Sequence, residues 1–139
     1  MAYNQPTQSF ESVAKEKWIF RKNKIYDCEM ITTKAENIAK TLSERSPKNK
    51  NLSITQVRKF YNEFKKHEMI ITKENFDENK ALIYMLKSKA AYSSDKIGDN
   101  FKQFVFNSID SINDYESFKD FMKFFEAVYG YLKNQPGIR

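Results

Sequence analysis

The chain contains few of the residues that form tight turns, disulfides or metal sites. Only three glycines, three prolines, one cysteine and one histidine occur among its 139 residues. Tight β-turns favour Asn-Gly, Asp-Gly or Gly-Gly pairs, and the nearest approach to such a pair, Gly98-Asp99, does not lie between alternating apolar and polar runs. The sequence therefore signals no β-hairpin and is typical of a helical protein.

The single cysteine and the single histidine also exclude most site chemistry. Cys28 cannot form an internal disulfide, and we expect it to be a partly buried structural residue. His67 has no metal-ligating companion at a suitable spacing, so we expect a surface imidazole. The sequence shows no carboxylate pair, no nucleophile beside a base and no phosphate-binding glycine loop. We therefore predict no catalytic residue, no metal site, no cofactor and no enzymatic activity.

Length and hydropathy predict one domain without a signal peptide or a membrane span. The 139 residues suffice for a single domain with a real core. The amino terminus lacks the apolar run that a signal peptide or a membrane span would need. This absence indicates a cytoplasmic protein. We expect residues 1–139 to form one helical domain with loose tails at 1–8 and 134–139 and a mobile loop at 46–51.

The positive charge is concentrated in the first half of the chain. Residues 1–70 hold 14 Lys or Arg against 8 Asp or Glu, whereas residues 71–139 hold 10 of each, so the net charge of +6 comes from the first half. Such an asymmetry favours a polyanionic partner, either nucleic acid or an anionic membrane surface. The last predicted helix is slightly acidic, which argues against the membrane surface.

Apolar residues recur at helical spacing along most of the chain and predict an all-α, compact single-domain bundle of about five or six helices. The predicted helices cover residues 10–24, 33–42, 55–69, 75 or 77 to 92, 97–112, and 113 or 114 to 133. The core is predicted to come mainly from Phe60, Leu82, Leu86, Phe104, Phe121, Phe125 and Val128. Phe124 and Tyr129 lie off the main stripe of the last helix and are expected to form an exposed apolar patch for subunit contact.

The third predicted helix combines a buried stripe with a basic face. Ser53, followed by Gln56 three residues later, reads as a capping box, so a helix should begin near Thr55. Arg58 and Asn62 fall opposite the apolar stripe of this helix. An ordinary solvated face would show the same pattern. On the next helix, Lys89 is predicted to lie on a mainly apolar stripe with Leu82, Met85 and Tyr92. A lysine there either binds an anion or extends its ammonium to water over apolar surface.

Four short motifs occur in a fixed order along the chain. They are Leu52-x-x-Thr55-Gln56-Val57-Arg58-Lys59, Tyr84-x-x-Lys87-x-Lys89-Ala90-Ala91-Tyr92, Phe101-Lys102-x-Phe104, and Phe124-Phe125-Glu126-Ala127-Val128-x-Gly130-Tyr131-x-Lys133. In order and spacing they resemble the small subunit of the type III-A CRISPR effector, the Csm complex. The resemblance covers residues 52–133.

The resemblance implies a non-catalytic subunit, in antiviral defence, that forms a head-to-tail filament beside the backbone subunits of a ribonucleoprotein. Base pairing between guide RNA and target RNA would carry sequence recognition, while this subunit would bind the target backbone. The implied partners are guide RNA, target RNA, other CRISPR effector subunits and copies of itself. The predicted contact residues are Arg58, Lys59 and Lys89, supported by Asn62, Lys87 and Tyr92.

Two other functions fit the residues alone. The chain could be a stand-alone helical DNA-binding regulator, with Arg58, Lys59 and Asn62 reading base edges from a major groove. The connector at 46–51 is long for the turn that such a motif needs. A purely structural interaction protein, whose charge serves only solubility, is the third possibility.

Overall fold

The computed structural model describes residues 17–47, 49 and 51–138. Within these ranges, a short hairpin and a 3-10 helix (Cys28–Ile31) precede five α-helices. The hairpin pairs β1 (Arg21–Lys22) with β2 (Ile25–Tyr26) in antiparallel register. The helices are α1 (Thr33–Ser43), α2 (Ile54–Ile70), α3 (Phe76–Tyr92), α4 (Ser94–Asp110) and α5 (Tyr115–Lys133). The prediction of a compact helical domain is confirmed.

The amino-terminal hairpin corrects two predictions. Residues 17–24 do not form the predicted helix, and a hairpin exists where none was signalled, while residues 10–16 lie outside the described part. The turn residues Asn23 and Lys24 both have positive φ, 52° and 67°, as a two-residue hairpin of the primed type requires. Before them, Trp18 and Phe20 are buried while Ile19 is 70% exposed. This alternation has the period of an extended chain, not of a helix.

Hydrogen bonds to α4, to the residue that follows it and to α5 fix strand β1 and the residues before it. The Trp18 backbone N–H donates to Ser111 Oγ at 2.9 Å, and its indole Nε1 donates to Ser108 Oγ at 3.1 Å. Arg21 Nε and Nη2 donate to the two carboxylate oxygens of Asp120 at 2.7 and 3.0 Å. Asp120 is only 3% exposed, so this bidentate pair supplies the charge compensation that a buried carboxylate needs.

The helix boundaries follow signals that are visible in the sequence. Ser53 Oγ accepts the backbone N–H of Gln56, which confirms the predicted start of α2 near residue 55. Asp114 and Ser117 form a reciprocal capping box at the start of α5. In α4 the helical geometry is broken at Gly98, which adopts φ 79° and ψ 161°. A residue with a side chain would be strained there, so the glycine permits the kink.

The core forms where α5 packs against α1 and α2 and its rings meet Phe104 of α4. Six of the seven predicted core residues are buried, and the exception is Leu82, which is half-buried at the edge of α3. Its neighbour Ile83 faces inward together with Leu86. Apolar residues occupy several adjacent positions of this helix, so periodicity did not specify which ones face the core.

Three further expectations are corrected by burial. Phe124 is fully buried against Trp18 and Phe20, with ring centroids 5.3 and 5.8 Å away, because the amino-terminal segment covers it. Cys28 is exposed on the 3-10 helix and not partly buried. Asn49 is buried although it lies in the predicted exposed connector, and its amide donates to the carbonyls of residues 42 and 44 at the end of α1.

The fold predicts a large stability cost for truncating a central ring. Phe125 is fully buried and contacts the rings of Phe64 and Phe104, so Phe125→Ala should lower the free energy of unfolding by about 3–5 kcal/mol. Urea unfolding followed by circular dichroism measures the change. Met69→Ala is the control, because Met69 is 87% exposed and should change stability by less than about 0.5 kcal/mol. Equal losses in the two variants would contradict this core.

Candidate nucleic-acid interface

Helix α2 presents a basic outer face because its inner face is held by the core. Val57, Phe60 and Phe64 are buried, while Arg58, Lys59 and Asn62 are exposed on the opposite side. Among the described residues, no carboxylate lies within ion-pair distance of Arg58 or Lys59. The positive charge of this face is therefore available to a ligand.

Arg58 contacts α5, a neighbour that local sequence could not indicate. Its Nε donates to the hydroxyl of Tyr129 at 2.8 Å, and the Tyr129 ring packs against Tyr61 with centroids 5.1 Å apart. The ammonium of Lys133 lies 4.7 Å from the centroid of the same ring. Sequence reasoning did not assign Tyr129 or Lys133 to the site. Their signal was the spacing of four residues, which places them on one face of α5.

Lys89 lies beside α2, and its nearest anion belongs to the protein itself. Its Nζ is 3.6 Å from a carboxylate oxygen of Glu63 and 5.8 Å from the ring centroid of Phe60. Lys89 is half-buried, but the stripe on which we placed it is not a core stripe, because Met85 is 69% exposed and Tyr92 is 74% exposed. The pairing with Glu63 offsets part of the charge that Lys89 could offer to a ligand.

Lys87 lies on the other side of α3. Two residues along an α-helix are separated by about 200° around its axis, so Lys87 and Lys89 point in nearly opposite directions. Lys87 Nζ is 2.8 Å from Asp110 Oδ1 and 5.2 Å from the ring centroid of Phe106, both on α4. The structure thus brings Arg58, Lys59 and Asn62 together on α2 with Lys89 adjacent, and places Lys87 apart from them.

A second group of cations near α2 is already neutralised. Glu68 accepts Lys65 and Lys119 at 3.0 Å each, and its side chain is largely buried. Burial alone would raise the pKa of Glu68, but the hydrogen bonds from Lys119 and Lys65 outweigh it, so the pKa is lowered. These two lysines therefore contribute little free positive field.

A cleft of about 530 Å³ opens at the start of α5, but its charges are balanced. The lining combines four cations with four carboxylates and two rings, and the central pair is the Arg21–Asp120 contact. In residues 17–47, 49 and 51–138, no group of three or more His, Cys, Asp or Glu side chains is placed to hold a metal ion. Nor does any helix in these ranges combine the length and apolarity needed to cross a bilayer.

Comparison with known protein families gives a match over most of the chain. A family model described as Csm2 Type III-A matches residues 25–137, which covers α1 to α5 and the 3-10 helix. The chain belongs to the Csm2 family. This family is a small subunit of the type III-A CRISPR Csm complex, so the resemblance found in the motifs is confirmed. Searches of curated proteins and of solved structures found no match.

The Csm2 match contains all six predicted contact residues and excludes part of the hairpin. Arg58, Lys59, Asn62, Lys87, Lys89 and Tyr92 all fall within residues 25–137. Trp18, Phe20 and Arg21 precede the match, although they pack on α4 and α5. The family match therefore covers the five helices and not the segment that packs on Phe124.

The single histidine of this Csm2-family chain lies next to the basic face. His67 is half-buried, not a surface imidazole as predicted, and its Nδ1 is buried without a hydrogen-bond partner among the described residues. Burial lowers the pKa of His67 below its ordinary value of 6.5. The charges of Lys66 and Lys89 act in the same direction, and Glu63 acts against them. The neutral imidazole is therefore favoured in the folded state.

This lowered pKa predicts that stability falls as the pH drops below about 6.5. The unfolded chain binds a proton to His67 at a higher pH than the folded chain does, so acidification through this window favours unfolding. Urea midpoints between pH 7.5 and 5.5 should show a smaller decline for His67→Gln than for the original chain. Because the chain has one histidine, its imidazole resonance can be assigned without ambiguity in a nuclear magnetic resonance titration. A measured pKa above 6.5 would contradict the prediction.

Proposed function

We propose that this Csm2-family chain is a non-catalytic subunit that forms a head-to-tail filament in the type III-A complex and binds the backbone of target RNA paired with guide RNA. Guide–target pairing would supply sequence specificity, and the chain would supply a sequence-independent basic surface. Its partners are then guide and target RNA, the other effector subunits and copies of itself. The observation that carries the proposal is the exposed basic face of α2.

A cation that already has a carboxylate partner in the fold should contribute less to RNA binding than a cation that has none. Arg58 and Lys59 are exposed without a carboxylate partner among the described residues, so binding a phosphate breaks no ion pair. Asn62 is exposed one turn further along and offers an amide donor. Lys89 must share its charge with Glu63 and Lys87 with Asp110, so each should contribute less than Arg58.

The outer face of α3 supports the filament part of the proposal. Met85 and Tyr92 are seven residues apart, about two helical turns, and both are largely exposed. Exposed apolar side chains aligned on one helix face are a common feature of surfaces that contact another protein. Tyr92 could alternatively stack on an RNA base, as aromatic side chains do in RNA-binding proteins.

The connection between α1 and α2 does not favour the DNA-binding regulator. α1 ends at Ser43 and α2 begins at Ile54, so the two helices are not joined by the short turn of a helix-turn-helix motif. In addition, Arg58 donates its Nε to Tyr129, which limits the reach of the side chain toward base edges. Family membership supports the effector-complex function.

Salt dependence tests the proposed backbone contact. Target-RNA affinity of the assembled guide-loaded complex would be measured over a range of salt concentrations for Arg58→Ala, Lys59→Ala and Lys89→Ala. Each lost phosphate contact should reduce the slope of log affinity against log salt by about 0.7 for single-stranded RNA. The loss should be similar for targets of different sequence, each matched by its own guide.

Lys123→Ala is the matched control for these variants. It removes the same charge from an exposed lysine that lies 5.3 Å from the ring centroid of Tyr26, on the side of the hairpin. If Arg58→Ala and Lys59→Ala behave like Lys123→Ala, the basic face is only a solvated surface and the proposal is wrong. A loss confined to certain target sequences would instead favour base readout.

A further inference from the structure

We infer that Tyr129 is a positioning residue for Arg58, and that Arg58, Tyr129 and Lys133 together form a site for one phosphate of the RNA backbone where α2 meets α5. The inference rests on the proposed RNA binding and extends it to two residues of α5. The two helices bring together side chains that are 71 positions apart in sequence.

The hydrogen bond to Tyr129 orients the Arg58 guanidinium without neutralising it. A guanidinium has five N–H donors, and the contact with the phenol uses only Nε. The two terminal amino groups remain, and they form the edge that binds a phosphate through two parallel hydrogen bonds. Arg21 shows the contrast within the same chain, because Asp120 occupies its Nε and one terminal group with a carboxylate.

Tyr129 is itself held by the core. Its ring packs against Tyr61 at 5.1 Å, and Tyr61 lies edge-on to the fully buried Phe125 at 5.4 Å, with an interplanar angle of 84°. The contacts thus extend from the core through two rings to Arg58. An exposed arginine normally loses side-chain entropy when it binds, and holding it in place beforehand reduces that loss. The Tyr129 oxygen accepts from Arg58, so its role at the site is to orient the guanidinium.

Lys133 adds a second positive charge at the same ring. Its ammonium lies 4.7 Å from the Tyr129 centroid, its side chain is exposed, and no carboxylate of the described residues is within ion-pair distance. The Tyr129 side chain therefore contacts one cation at its hydroxyl and another at its ring face. Glu126 lies three residues before Tyr129 on α5. Its charge raises the pKa of Tyr61 and of Lys65.

This combination of groups matches a phosphodiester. The terminal Arg58 donors can contact two oxygens of one phosphate, while Lys133 supplies a further charge that needs no fixed geometry. The exposed Lys59 next to Arg58 allows the polyanion to continue along α2. Because the basic surface extends beyond the room needed for one anion, it suits an RNA backbone better than a free phosphate ion.

A double-mutant cycle on the assembled guide-loaded complex tests the positioning role. Tyr129→Phe removes the hydroxyl and keeps the ring. It should weaken target-RNA binding roughly two- to tenfold, as expected for one hydrogen bond. It should leave the salt slope close to that of the original chain because no charge is lost. Arg58→Ala should weaken binding more and lower the slope by about 0.7. The double variant should match Arg58→Ala alone, since Tyr129 acts through Arg58.

Three further variants sharpen the readout. Arg58→Lys keeps the charge but loses both the donated Nε–H and the two-donor edge, so it should weaken binding more than Tyr129→Phe while leaving the salt slope unchanged. Lys133→Ala should lower the salt slope by about 0.7, like Arg58→Ala. Tyr131→Phe removes a hydroxyl from a half-buried tyrosine two residues along α5, on the other side of the helix, and should not change affinity.

The results separate this inference from the proposed function. If Arg58→Ala weakens binding while Tyr129→Phe behaves like Tyr131→Phe, or if the two effects multiply in the double variant, the positioning role is wrong and the basic face of α2 stands. If Arg58→Ala and Lys59→Ala have no effect, the proposed function fails. Inorganic phosphate is the last probe. If it binds the complex in a way that depends on Arg58 while Arg58→Ala leaves target-RNA affinity unchanged, the site takes free phosphate and the assignment to the RNA backbone is overturned.

Discussion

The burial of the aromatic face of α5 is the constraint on which the other elements depend. Phe121 and Phe125 contact each other, and their rings meet Phe64 from α2 and Phe104 from α4. Each buried ring contributes on the order of 2 kcal/mol by leaving water. With this face fixed, α2 has one orientation in which its apolar stripe is buried, and that orientation determines which of its side chains reach solvent.

The electrostatic character of the surface follows from this orientation. Most lysines of the helices find a carboxylate within the fold, as Lys87 does at Asp110 and Lys119 does at Glu68. On the outer face of α2, Arg58 meets a phenol instead of an acid. The positive charge of the described residues is therefore not paired evenly. One unpaired part of it lies where α2 and α5 meet, and its position there is a property of packing and not of composition.

Local signals were sufficient to predict the five helices from residue 33 onward, but they did not predict contacts between residues distant in sequence. Ser53 and Asp114 are caps whose partners lie three residues away, so both helix starts could be read from the chain. The hairpin at Asn23-Lys24 has a turn without glycine, and its strands have two residues each, too short to show alternation. The contact of Arg58 with Tyr129 depends on how two helices pack, and no pattern within either helix specifies it.

The pair of Arg21 and Asp120 has a consequence for where the folding unit of this chain begins. Asp120 lies on α5 inside the family match, whereas Arg21 lies ahead of residue 25, where the match starts. A carboxylate that is almost fully buried requires its counter-charge, and here that charge comes from a residue ahead of the family match. Trp18 and Phe20 cover Phe124 from the same segment. The part of this chain that builds the described core is therefore larger than the part that the family model matches.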